Sequence, residues 1–331
     1  NKPTSEPILG KPVNPEKPEK TGTASDTYKN AFWNSIRSRN WVDIRNDLQA
    51  GMDSEGGYLV PDEFEKKLIE SLTEENIFRQ LATVIKTSSG DRKIPIVTSK
   101  GEAVWIDEEK AYTLSDDVFG QASLSAYKVG TAIKVSEELL NDSAFDLSAY
   151  ITKEFARRVG AKEEEAFFVG DGNGKPTGIF AASGGAENGA TTSTANITFD
   201  DMMELFYSLK SPYRKKASWV QNDSTVKALR KLKDSNGNYI WSPSVSAGIP
   251  DTIMNRPYYT SSYVPESTVG SKAIAFGDFS YYWVADRKGF TFKRLNEVFA
   301  MNGQIGFIAS KRVDGRLILP EAIKTLTIKK A

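Results

Sequence analysis

The chain of 331 residues carries 43 basic and 43 acidic side chains and has neither histidine nor cysteine. Balanced charge removes the long-range pull toward nucleic acid that a basic domain exerts, and the missing imidazole and thiol exclude the usual catalytic triads, zinc sites and disulfides. No stretch approaches the roughly 20 apolar residues of a membrane helix and no hydrophobic signal segment is present, so a soluble chain of about two domains is expected. Residues 1–25 are rich in Pro, Lys and Glu without an apolar period, which predicts an extended or disordered segment when alone. The first residue is Asn1, not methionine, so a trimmed chain is expected, through processing or through cloning. From Ser25 or Asp26 to Gln49, apolar residues such as Tyr28, Phe32, Ile36 and Leu48 predict a helix that ends at Gly51. A second helix is predicted over 61–82, with Phe64, Leu68, Ile69 and Leu72 inward. Residues 83–130 read as a long two-stranded region with a polar far end, marginal in stability by itself.

The segment 143–178 is the most informative. Ser143 followed by Asp146 reads as a helix start. Leu147, Tyr150, Ile151, Phe155, Val159, Ala166 and Phe167 then recur at helical spacing, giving a spine helix over 143–169, about 35–40 Å long. A glycine-rich turn follows, in which Pro176 blocks further helix. A phosphate cradle would need this loop to follow a strand and to carry Ser or Thr after its lysine, and neither holds. Residues 179–196 are small and polar and read as a linker. A helix is expected from Asp200 to Ser208 with Thr198 as N-cap, then a short strand at Trp219 and Val220, a helix over 225–231 and a turn over Gly237. Loops and short strands are expected over 243–272. Five β-rich runs, 273–276, 281–285, 290–294, 305–312 and 323–328, predict an antiparallel sheet and hence an α+β architecture.

The segment KEEEAFFVGDGNGKPTGIF, residues 162–180, resembles the spine helix of major capsid proteins of tailed double-stranded DNA bacteriophages, the Hong Kong 97-like fold. GGYLVPDEF (56–64), KVGTAIKVSEELLND (128–142), LRKLKDSNGNYIW (229–241) and GDFSYYWVADRKG (277–289) agree with that family in the same order, so the resemblance covers roughly residues 50–331. It implies an N-terminal arm (1–55) and a discontinuous peripheral shell domain (56–85, 127–196 and 286–331) that includes the spine. It also implies an extended loop (86–126) lying across a neighbouring subunit and an axial domain (197–285). The implied function is self-assembly of hexamers and pentamers into an icosahedral phage head around double-stranded DNA, assembled in the host cytoplasm and carried in the virion. Portal, scaffolding, protease and decoration proteins are the implied partners, with no cofactor, metal or membrane. An encapsulin-type compartment shares the fold and stays open as an alternative.

Candidate site residues follow from both readings. Trp33, Trp41 and Trp105, the acidic run Asp107, Glu108 and Glu109 with Lys110, the spine cations Arg157 and Arg158, and the basic cluster Arg214, Lys215 and Lys216 are expected at subunit contacts. For Arg214–Lys216 a nucleic-acid site is the rival reading. Asp116 with Asp117 and the run from Glu163 to Glu165 complete the acidic clusters. These clusters, with Trp105, Trp219 and Trp241, would suit a carboxylate-dependent glycosidase or binding module, although charge runs are more often solvated faces. Some members of the family join subunits by an isopeptide bond between a lysine of the extended loop and an asparagine, assisted by a glutamate from a third subunit. The resemblance puts Lys110 and Asn302 near those places, but Ala309 or Ser310 stands where the carboxylate is needed. A shell without covalent links, and no enzymatic activity, is therefore expected.

Overall fold

The computed structural model describes residues 21–37, 58–87, 92–99, 118–141, 146–234, 236–241, 252–295 and 297–330, with the backbone alone at 36–37, 58, 92–99, 118–123, 141 and 288. The chain opens with α1 (Asp26–Arg37), whose first turn is capped by Ser25 Oγ accepting from the Tyr28 amide at 3.1 Å. After β1 (Tyr58–Leu59) comes α2 (Asp62–Glu75), burying Phe64, Leu68 and Leu72 at the i, i+4 spacing of one helical face. The single helix expected over 61–82 is broken at Asn76, whose side chain accepts from the Arg79 amide and so starts α3 (Ile77–Leu81). Next are β2 (Thr83–Thr87), β3 (Arg92–Ser99), β4 (Val118–Leu124), β5 (Tyr127–Ser136) and α4 (Glu137–Asn141). The spine α5 (Leu147–Val169) begins one turn later than expected, because the Asp146 carboxylate caps the Ala149 amide at 3.0 Å. Its 23 residues span about 34 Å.

Beyond the spine lie β6 (Glu187–Thr191), α6 (Phe199–Ser208), α7 (Ser211–Arg214), β7 (Ser218–Gln221) and α8 (Asp223–Arg230). They are followed by β8 (Thr252–Ile253), β9 (Arg256–Thr260), β10 (Lys272–Gly277), β11 (Tyr282–Leu295), β12 (Gln304–Leu317) and β13 (Ile323–Thr327). Thr198 and Asp201 form a reciprocal capping box on α6. The expected linker at 179–196 is instead folded: Ile179, Phe180 and Ala186 are buried, and β6 runs parallel to β13 beneath α6. Small residues allow this close approach, since a Cβ at Gly189 would lie 2.9 Å from Leu205 Cδ1. The helix expected over 225–231 starts earlier, where Asn222 caps Ser224.

Among the described residues the strands form two sheets and a separate antiparallel pair, β3 with β4. In the five-stranded sheet the order is β1-β11-β12-β5, and β2 pairs parallel with the other end of β11. The six-stranded sheet runs β6-β13-β10-β7-β9-β8, with β7 parallel to β9. The C-terminal third is thus not one antiparallel sheet. The runs at 281–285 and 290–294 merge into β11 across a register shift between Arg287 and Thr291, while β10 and β13 belong to the other sheet. One core packs α1, α2 and the first half of α5 (Ile151, Phe155, Val159) on the five-stranded sheet. A second surrounds Trp219, stacked on Phe276 at 4.1 Å under α6. A third joins the sheets, with Phe167 and Phe168 from the end of α5 against Phe78, Val220, Tyr282 and Val313. The spine therefore contributes to the core of the first sheet and to the junction with the second. Tyr150, expected inward, is 37% exposed.

Candidate functional site

Lines of residues four apart on α5 explain its sequence. Leu147, Ile151, Phe155, Val159, Glu163 and Phe167 are all buried, and so are Ala156, Gly160, Glu164 and Phe168 on the adjacent line. Two carboxylates thus occupy inward positions of an apolar face. A buried carboxylate is tolerated only when paired or hydrogen-bonded, and both are. Arg79 Nε donates to Glu163 Oε2 at 2.7 Å, and its terminal nitrogens form a bidentate pair with Asp286 at 3.0 and 2.9 Å. Lys311 Nζ lies 2.8 Å from Asp286 Oδ1 and 3.3 Å from Glu163 Oε1, and 5.2 Å from the Phe290 ring centroid. The quartet is electrically neutral and ties together α3, α5, β11 and β12. Burial pushes the Asp286 carboxyl up, but Lys311 and Arg79 outweigh it and hold the group well below the usual range.

Glu164 faces the other way. Its Oε1 accepts from Ser261 Oγ at 2.5 Å, at the end of β9, and its Oε2 from the Ile77 amide at 3.3 Å. Burial raises its carboxyl above the ordinary value despite those two bonds. Consecutive glutamates of the spine thus grip one sheet each. A cavity of about 360 Å³ opens beside the quartet, lined by Glu65, Lys86, Phe290 and Lys311 among others. Among the described residues no group of acidic side chains is arranged to hold a metal ion, and no helix is long and apolar enough to cross a membrane.

The run from Glu163 to Glu165, read from sequence as a solvated face, is a surface feature only at Glu165, which pairs with Lys162 at 2.6 Å. The glycine loop after α5 is engaged in its own framework: Gly178 N donates to Gly170 O at 2.9 Å, and the Tyr282 hydroxyl donates to Thr177 O at 2.8 Å. A Cβ at Gly170 would sit 2.2 Å from Pro176 O, so glycine is required by close packing there.

Of the expected contact residues, Trp41, Trp105, Asp107, Glu108, Glu109 and Lys110 lie outside the described residues, as do Asp116 and Asp117. Trp33 packs edge-on against Phe32 and Phe64 within its own chain. Arg157 and Arg158 both pair with Glu154, and Arg158 also donates to Ala132 O on β5 at 3.1 Å, tying the spine to that strand. Arg214 lies over the Phe206 and Tyr207 rings at 5.5 and 5.3 Å, while Lys215 and Lys216 are exposed. Asn302 is exposed in a tight turn before Gly303, which adopts a positive φ of 60°. Ala309 is buried in the first core, so no carboxylate stands at that position.

The sequence matches the family model described as the phage capsid family over residues 56–328. The major capsid protein of Klebsiella oxytoca phage phiKO2 is 24% identical over 237 residues, which cover 68% of this chain and 54% of the relative. That of Escherichia phage T5 is 27% identical over 123 residues, 35% of this chain and 27% of the relative. The chain thus spans about half or less of the length of these relatives. Among solved structures, the capsid of a native GTA particle superposes with a TM-score of 0.66 at 29% identity, covering 78% of this chain and 90% of that one. A chain from Gordonia phage Cozz, at 13% identity and a TM-score of 0.56, shares the fold. With most of its length inside the family match and its fold shared with these capsid structures, the chain belongs to the phage capsid family and has the Hong Kong 97-like fold.

Proposed function

We propose that this chain is the major capsid subunit of a tailed phage, self-assembling into hexamers and pentamers that close into an icosahedral head around double-stranded DNA. The observation that carries the reading is the likeness to the GTA capsid, which extends over 90% of that chain. Unlike faces of identical subunits meet head to tail, close into rings, and gain curvature from two ring sizes. In this reading the five-stranded sheet and α5 form the peripheral part and the six-stranded sheet the axial part. The C-terminal strand β13 and β6 then belong with the axial sheet, to which they are hydrogen-bonded. The segments 1–55 and 86–126 serve as arm and extended loop. DNA is enclosed without sequence-specific contacts, consistent with a formal net charge of zero. Portal, scaffolding, protease and decoration proteins are the further partners, and assembly takes place in the host cytoplasm. In this reading the subunit carries out no catalysis and contacts between subunits are non-covalent, because Ala309 or Ser310 stands where the resemblance would need the assisting carboxylate.

Negative-stain electron microscopy with light scattering on the purified chain tests this. Rings or closed icosahedral particles are expected, and their contents distinguish a phage head from a cargo compartment. A monomer that never assembles across salt and pH overturns the proposal. Boiled particles should run as a single band at monomer mass on a denaturing gel, whereas a ladder of covalent oligomers refutes the non-covalent shell.

A further inference from the structure

On α6 three apolar side chains at i, i+4 and i+8 point away from the core: Phe199 is 38% exposed, Met203 37% and Tyr207 63%. The strip continues through Phe199 into an apolar groove of about 200 Å³, whose far wall carries Ile240 and Trp241, and Ile240 is itself 41% exposed. Contiguous exposed apolar surface of this kind, rimmed by charge, marks an interaction site. Its margins differ in sign. Asp200 and Glu204 are exposed along α6, while Lys227, Lys231 and Lys233 are exposed on and just after α8. Cations also cover the aromatic rings at both ends, Arg214 over Tyr207 and Lys233 over Tyr239 at 4.8 Å.

We propose that this strip is a contact between neighbouring copies of the chain, with the acidic margin of α6 in one copy against the basic margin 227–233 of the next. Two margins of opposite charge on one subunit let the acidic edge of one copy meet the basic edge of the next, an arrangement that the head-to-tail relation of a closed ring satisfies. The inference rests on the assembly reading above and names the surface that carries it. Met203 occupies the middle of the stripe and is the anchor, because central, desolvated apolar residues dominate interface energetics.

The test uses the full chain and its variants, purified identically, with thermal unfolding as the fold control and light scattering with electron microscopy as the assembly readout. Met203→Asp is expected to remain folded and to need at least about tenfold more protein to assemble. Glu204→Lys and Lys231→Glu are each expected to weaken assembly, and the double exchange to restore it. Assembly of Met203→Asp at the parent's concentration overturns the contact. Should that variant unfold, the charge exchange decides alone: normal assembly by both single variants, or no rescue by the double, overturns the pairing. If the parent chain itself forms no rings or shells, it is the assembly reading that fails, and this contact with it.

Discussion

Replacing Arg79 by methionine keeps a flexible unbranched stem but removes the cation that three hydrogen bonds place between Glu163 and Asp286. Two buried carboxylates are then left with one ammonium, Lys311, in a site where the side chains are between 1% and 8% exposed. Breaking a buried pair by removing one partner costs about 3–5 kcal/mol, most of it from the stranded charge. With an unfolding entropy near 2.1 cal/mol/K per residue, a chain of 331 residues should lose about 4–7 °C of unfolding midpoint if it melts as one unit. Calorimetry on unassembled subunits measures it. The companion variant, Arg79→Met with Glu163→Gln, leaves Asp286 and Lys311 as a neutral pair. It should be less damaged than the two single changes added together, by about 1–2 kcal/mol. A midpoint within about 1 °C of the parent for Arg79→Met, or strict additivity in the cycle, would refute the view that charge balance holds this junction.

Glu164→Gln keeps the acceptor for Ser261 and removes the charge. Because burial raises this carboxyl above its ordinary 4.5, its ionisation opposes folding: its stabilising contribution is fully present below that value and is lost as pH rises through the folded one. The parent's stability should therefore fall between mildly acidic and neutral pH more steeply than the variant's, and equal slopes in denaturant midpoints against pH would contradict this. Gly178→Ala should destabilise by about 1–3 kcal/mol or more, because the new Cβ would meet Phe168 O at 2.4 Å, a backbone atom that cannot turn aside; an unchanged melting midpoint refutes it. Trp219→Ala, which empties the stack on Phe276, should cost about 3–5 kcal/mol and be visible as a lower denaturant midpoint.

What the sequence made legible was local. The Thr198 cap, the glycine turn after the spine and the Phe64–Leu68–Leu72 stripe each depend on neighbours a few residues away, and each stands in the structure as read. The pairing of strands was not legible, because a β-rich run carries no label for its partner. Thus β10 and β13 look like β11 and β12 in composition yet hydrogen-bond in another sheet. The segment 179–196 was misread for a related reason: small residues signal flexibility in isolation, but here they let β6 pack tightly under α6.

The quartet falls between these cases. Arg79 is 84 positions from Glu163 and 207 from Asp286, so no local motif could assemble it. One of its members nevertheless left a trace. The run of charges Lys162 to Glu165 invites the reading of a solvated face, but counting in steps of four from Leu147 puts Glu163 on the same line as Ile151, Phe155 and Val159, with Phe167 beyond it. A charge on that line must either end the buried face or meet a buried partner, and the aromatic pair that follows rules out the first. The second requires a cation elsewhere in the chain, which the structure supplies as Arg79 and Lys311. Glu164, one position on, falls on the neighbouring line and turns to the other sheet. A spine that joins two sheets needs attachments on two faces of one helix, and adjacent residues about 100° apart provide them.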